Sequence, residues 1–224
     1  MIPFNAVLFD LDGTLIDSVV DIAASVNHVR TKMAMTSLSI DVVGNYVGDG
    51  VHVLMERSLN TQDEKLVNKA IELWKPHYAL HCLDHTRLYP GIRKILKALS
   101  SRGISLGVVS NKPAALSEKI LVGLGIRPLF SVVVGGDTVG ERKPHPLPLK
   151  FAVEQMKIHT GQILVVGDSP NDILGAQRAG YSSCGVLWGL SREETIRAAH
   201  PDYLAKTPRE AQRIMLKRVV GNSK

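Results

Sequence analysis

The sequence predicts an α/β protein, a doubly wound parallel sheet interrupted by an inserted helical domain. Three observations carry this expectation. Short apolar runs rich in β-branched residues recur, each ending on Gly, Ser, Asp or Asn, as in strands buried on both faces of a parallel sheet. Segments of helical period lie between most of them, so strand and helix alternate. The alternation fails once, between Ile16 and Thr86, where only helical patterns are found.

The first strand is Ala6–Phe9, which stops at Asp10 and Asp12. In the long insertion, Val20–Met33 is amphipathic. Gly50–Leu59 puts Val51, Leu54, Met55 and Leu59 on one face, and Asp63–His81 repeats Leu66, Ala70, Leu73 and Trp74. An insertion of this length after a first strand reads as a helical cap, residues 16–86, set into a core of residues 1–15 and 87–224. Ile92, Ile95, Leu96 and Leu99 then make one helix face, closing on Gly103. A strand follows at Ile104–Val109, and a helix that opens at Pro113 and closes near Gly125. Val132–Val134 and Ile163–Val166 are the next strands. A helix opening at Pro170 closes at Gly180, and Cys184–Trp188 is a weaker fifth strand.

Composition narrows the function classes. The chain has 224 residues, 45% of them hydrophobic, enough for a sizeable core. No run of about 18 apolar residues is present, so no membrane span is expected, and no basic region precedes an apolar leader. Cys82 and Cys184 lie far apart in no metal-like spacing, which fits reduced thiols of a cytoplasm. The net charge is +6, but basic residues are scattered, with a modest cluster at Arg213, Lys217 and Arg218. Aromatics are 5%, too few for the aromatic-interleaved basic stripe of a nucleic-acid binder. A basic surface that draws in a small anionic substrate is the expectation, with the chain a monomer or a homodimer.

Ligands of such sheets bind at the carboxyl ends of the strands, and there the chemistry gathers. The first strand ends on Asp10 and Asp12, the second on Ser110 and Asn111. Lys143 follows the third, and the fourth ends on Asp168 with Asp172 beyond. At a spacing of two in extended chain, Asp10 and Asp12 point the same way. One can attack while the other handles protons, and Gly13 and Thr14 offer backbone N–H groups as an anion cradle. A carboxylate approaching a phosphate dianion meets repulsion of roughly 8 kcal/mol at about 4 Å and an effective dielectric of about 20. Cations are therefore required. Lys143 is one, and a divalent metal held by Asp10 and Asp168 is the other, for which magnesium with its oxygen ligands is best suited.

These motifs resemble those of the haloacid dehalogenase-like superfamily. The likeness rests on DxDGT[LV] at Asp10 to Leu15, a hydrophobic-[ST]-N at Ser110 and Asn111, Lys143–Pro144, and GDSxxD from Gly167 to Asp172. It covers nearly the whole chain and implies a Rossmann-like core. By that resemblance Asp10 is the nucleophile that forms an aspartyl-phosphate, and Asp12 is the general acid and then base. Ser110 and Lys143 hold the phosphoryl oxygens. Magnesium is bound by Asp10, the Asp12 carbonyl and Asp168, with Asp172 in support. Dehalogenases of the superfamily lack the second aspartate, so Asp12 favours phosphoryl transfer. Phosphonate-cleaving relatives use a cap lysine, for which Lys32 is the nearest candidate.

Within the cap, Asn45–Leu59 resembles the VGxGxxxLMERAL segment of bacterial phosphoglycolate phosphatases, with Gly48, Asp49 and Gly50 as a loop over the site. The HTRLYPGI and SNKP stretches resemble that subfamily too. Two departures stand out: Asp49, where a neutral residue is expected, and WGLS at Trp188–Ser191 in place of a sequence like YGYN. The resemblance implies magnesium-dependent hydrolysis of a small phosphate ester, 2-phosphoglycolate first. Backbone N–H groups around Gly48 to Val51, or Arg57 if it faces inward, are the candidate receivers of the substrate's carboxylate. Open alternatives are a sugar phosphate or pyrophosphate, a phosphoglucomutase-like transfer, or a non-catalytic module.

Overall fold

The computed structural model describes residues 2–158, 162–216 and 218–219, with only the backbone for 2–3 and 218–219. Lys217 lies outside these residues, and the Arg213, Lys217 and Arg218 cluster is therefore not described as a surface.

The elements follow in chain order. β1 (Ile2–Phe9) and β2 (Ile16–Asp17) precede four helices: α1 (Val19–Lys32), α2 (Ile40–Gly44), α3 (Val51–Leu59) and α4 (Glu64–His81). Then come β3 (Arg87–Leu88), α5 (Ile92–Ser100), β4 (Ser105–Val109), α6 (Ala114–Gly123), a 3-10 turn at Arg127–Leu129, and β5 (Val132–Val134). The chain ends with α7 (Leu147–Gln155), β6 (Gln162–Gly167), α8 (Pro170–Ala179), β7 (Ser182–Val186), α9 (Glu193–Ala198), β8 (Tyr203–Ala205), α10 (Pro208–Met215) and β9 (Arg218–Val219).

Six strands pair in parallel in the order β5-β4-β1-β6-β7-β8, and β9 runs antiparallel to the start of β1. Strand order reverses around β1, because β4 lies on one side of it and β6 on the other. That reversal opens the crevice in which ligands of doubly wound sheets sit. Alternation along β1 sends its side chains to both faces. Val7 and Phe9 join the cluster containing Ile95, Leu99, Ile120 and Ile214 of α5, α6 and α10. Ala6 and Leu8 join the one containing Leu149, Val153 and Ala176 of α7 and α8. A central strand covered on both faces must be apolar throughout, as the run in the sequence implied.

The five expected strands are present; β1 and β6 extend beyond the apolar runs that marked them, and β7 lies two residues earlier than its run. β8 gave no signal, being three residues among polar neighbours. Residues 19–81 hold α1 to α4, whose buried side chains belong to the same apolar cluster as Leu11, Leu15 and Ile16. The chain leaves and rejoins the core layer through the antiparallel pair Ile16–Leu88 and Asp17–Arg87. The stripe on α4 differs from the expected one. Leu66 is exposed, and the buried positions are Val67, Ala70, Trp74 and Tyr78. Both sets repeat every three to four residues, and packing against α1 and α3 selects between them. Pro113 stands just before the first residue of α6 rather than within its first turn. No described helix is long and apolar enough to cross a membrane.

Candidate active site

The carboxyl ends of β1, β4 and β6 bring the sequence-selected groups into one cleft. Its lining includes Asp10, Asp12, Ser110, Asn111, Lys112, Lys143 and Ser169 below, and Ile22, Val47, Gly48, Gly50, Val51, Leu54 and Trp74 above. The floor is charged and the roof is mostly apolar.

On the floor, one oxygen each from Asp10, Asp168 and Asp172 lies within 4.8 Å of the others. Lys143, 4% exposed, donates to Asp10 Oδ1 at 2.8 Å, to Asp172 Oδ1 at 2.5 Å and to the carbonyl of Val109. The second oxygen of Asp172 accepts from the N–H and hydroxyl of Ser169. Both oxygens of that carboxylate are thus engaged, one by Lys143 and the other by its own helix cap. Asp168 accepts from the Thr14 hydroxyl at 2.9 Å and from Leu190 N–H at 2.8 Å.

One lysine cannot neutralise three clustered acids, and the carboxyl groups respond. Burial pushes Asp10 up, Lys143 pulls it down and Asp172 pushes it up again, leaving it at about 6. Burial, then the charges of Asp10 and Asp172, raise Asp168 to about 8. Burial opposes the Lys143 ammonium, but Asp10 and Asp172 outweigh it and hold the lysine charged well above its usual range. An all-oxygen set with surplus negative charge fits a hard divalent cation such as magnesium.

Asp12 sits apart from this cluster. Its Oδ1 accepts from Ser18 at 2.5 Å and from Lys112 Nζ at 2.7 Å. Lys112 also donates to the Tyr78 hydroxyl of α4 at 2.6 Å. Neither Lys112 nor Tyr78 was singled out from the sequence. SNKP carried the signal for Lys112, but nothing local says that a lysine in a turn will be buried.

Several sequence expectations change. The N–H groups of Gly13 and Thr14 bond the carbonyls of Ile16 and Leu11 inside the turn, so they make no anion cradle. Gly13 instead answers a steric demand. Its φ is +81°, and a Cβ there would stand 2.1 Å from Asp168 Oδ2. Asn111 does not offer its amide to a ligand. Its Nδ2 reaches the carbonyls of Lys143 and Gly48, each at 2.9 Å, and its Oδ1 accepts from Lys143 N–H. It fixes the Lys143 loop and tethers the Gly48 loop. Asp49 is not among the cleft-lining residues. Its carboxylate pairs with Arg57 at 2.7 Å and accepts from Asn171 at 2.6 Å, so Arg57 is engaged away from the cleft as well. Gly48 and Gly50, both at positive φ, carry the backbone of that loop across the opening. Ser110 lines the floor as expected. Lys32 is exposed at the end of α1. The divergent WGLS stretch holds the site together. Trp188 donates to the Thr14 carbonyl, Leu190 to Asp168, and a Cβ on Gly189 would lie 2.3 Å from that of Asp168.

Comparison with known proteins agrees with this picture. A family profile for haloacid dehalogenase-like hydrolases matches residues 7–186. The phosphoglycolate phosphatase of Colwellia psychrerythraea is 37% identical over 210 residues, spanning 91% of this chain and 93% of that protein. The phosphoglycolate phosphatase of Neisseria gonorrhoeae is 40% identical over 204 residues, 86% of each. Among solved structures, a predicted phosphoglycolate phosphatase from Haemophilus somnus 129pt superposes with a TM-score of 0.88. It has 32% identity and covers 94% of this chain and 97% of that one.

Proposed function

The chain belongs to the haloacid dehalogenase-like hydrolase family, and we propose that it hydrolyses a small phosphate monoester, 2-phosphoglycolate, to glycolate and phosphate. The observation that carries the reading is the pairing of two groups on one cleft floor: Asp10 with the acidic cluster and Lys143, and Asp12 beside Lys112. The curated relatives named phosphoglycolate phosphatase, aligned over most of the chain, support the choice of substrate.

Asp10 Oδ attacks phosphorus and forms an aspartyl-phosphate as the ester bond breaks. Asp12 gives its proton to the departing alkoxide oxygen, then takes one from the water that hydrolyses the acyl phosphate. Ser110 holds the equatorial oxygens, and Lys143 beside Asp10 supplies the counter-charge to them. Asp10, Asp168 and the main-chain carbonyl of Asp12 would hold magnesium, which when bound supplies the positive charge that lets a carboxylate approach a phosphate dianion. Asp172 orients Lys143 and supports the metal carboxylates. Residues 16–86 act as a cap hinged on the Ile16–Leu88 and Asp17–Arg87 ribbon, and the Gly48–Gly50 loop limits the room above the phosphate. Two buried free thiols, Cys82 and Cys184, suit a reducing cytoplasm.

The test is kcat/KM in magnesium for 2-phosphoglycolate, glucose 6-phosphate, phosphoserine and pyrophosphate. Phosphoglycolate leads by at least about tenfold, roughly 1.4 kcal/mol in the transition state. A lead for a sugar phosphate or pyrophosphate overturns the substrate and leaves the aspartate chemistry standing. No turnover of any ester overturns both.

A further inference from the structure

The cleft has two lysines in its lining, and their bonding differs. The ammonium of Lys143 has three N–H donors and three acceptors: Asp10, Asp172 and the Val109 carbonyl. Lys112 has the same three donors, and only two are matched among the described residues, by Asp12 Oδ1 and the Tyr78 hydroxyl. Lys112 is 7% exposed, so bulk water does little for the third. A buried, charged donor without an acceptor is costly, and this one belongs to a residue that lines the cleft. Around it the roof is apolar, with Ile22, Val51, Leu54 and Trp74. Arg57, the alternative cation, is held by Asp49 and by the Tyr46 carbonyl.

We propose that Lys112 is the residue that selects the substrate, receiving a carboxylate borne on the carbon next to the leaving oxygen. This rests on the reading of Asp12 as the proton donor to that oxygen. Lys112 Nζ stands 2.7 Å from Asp12 Oδ1, so an anion reaching the lysine lies close to whatever Asp12 protonates. In 2-phosphoglycolate one methylene separates the leaving oxygen from the carboxyl carbon, and a single pose meets both groups. A hexose phosphate offers hydroxyls there, which leave the ammonium without a counter-charge. Polar sites reject analogues that lack the matching group more strongly than apolar pockets do. Tyr78 belongs to α4, so the lysine has this geometry only with the helical layer seated on the core.

The experiment compares 2-phosphoglycolate with ethyl phosphate, which replaces the carboxylate by a methyl group, in magnesium, for the wild type and Lys112→Met. Methionine keeps the apolar stem and removes the charge. The preference for the carboxylate substrate over ethyl phosphate falls at least thirtyfold in the variant, chiefly through KM. Inhibition constants for phosphonoacetate and ethylphosphonate give the same ratio without turnover, and it collapses in parallel. Lys112→Gln replaces the methionine variant if that one does not fold. Equal losses on both substrates overturn the proposal and leave Lys112 as a positioning residue for Asp12; a preference that survives also overturns it. A wild type with no preference between the two esters refutes the phosphoglycolate reading itself.

Discussion

Lys143→Met removes the single positive side chain among the three clustered acids Asp10, Asp168 and Asp172. Lys143 is 4% exposed and contacts Asp10 and Asp172 at 2.8 and 2.5 Å. Breaking a buried pair by deleting one partner costs about 3–5 kcal/mol, because the other charge is left uncompensated. For a chain of this size each kcal/mol moves Tm by about 2–4 °C, so the metal-free variant melts about 6–20 °C lower at pH 8. The loss depends on pH with a definite sign. Asp10 at about 6 and Asp168 at about 8 lie above the usual carboxylate value. Between about pH 4 and 8 the native state therefore binds more protons than the unfolded chain, and metal-free stability falls as pH rises. Deleting the lysine, which pulls Asp10 down, raises Asp10 further and steepens that fall. At pH 5 Asp10 and Asp168 are largely protonated in the native state, and the difference from wild type is smaller than at pH 8. Thermal melts in chelator at pH 5 and 8, repeated with magnesium, measure this. Magnesium recovers part of the loss by neutralising the same carboxylates. A loss equal at both pH values, or under about 2 °C at pH 8, refutes the electrostatic account of the cluster.

Three further outcomes are expected. Asp10→Asn loses several orders of magnitude in kcat with an aryl phosphate, as other nucleophile deletions do, and substantial residual turnover would sink the covalent route. Chelation silences turnover and magnesium restores it. Calcium does not, because its larger and looser shell misplaces the attacking carboxylate; full activity in calcium contradicts the assignment. Gly13→Ala puts a methyl 2.1 Å from Asp168 Oδ2 at a φ of +81°. The strain costs about 1–2 kcal/mol and displaces Asp168, so the magnesium concentration for half-maximal activity rises at least about tenfold; an unchanged magnesium titration argues against Asp168 as a ligand.

The sequence by itself determined the α/β class, the helical insertion, the strand ends that carry Asp10, Ser110 and Asp168, and the segments just beyond them that carry Asp12, Lys143 and Asp172. Each was legible because each is local: an apolar run buried on both faces, a helix period, a polar residue where a strand stops. Tertiary structure decided what those groups bond to. Thr14 meets Asp168 from 154 positions away, and Lys112 meets Asp12 from 100. Nothing in a turn such as SNKP states that its lysine will be buried between Asp12 and a helix tyrosine. Likewise Asp49 reads as an awkward negative charge in the sequence, and only Arg57 and Asn171, brought to it by folding, make it a fastener outside the cleft. The choice of Val67 over Leu66 as the buried side chain of α4 has the same origin. Periodicity admits both, and the neighbouring helices admit one. Propensity and pattern act along the chain, whereas charge and hydrogen bonding act through space, where partners distant in sequence become neighbours.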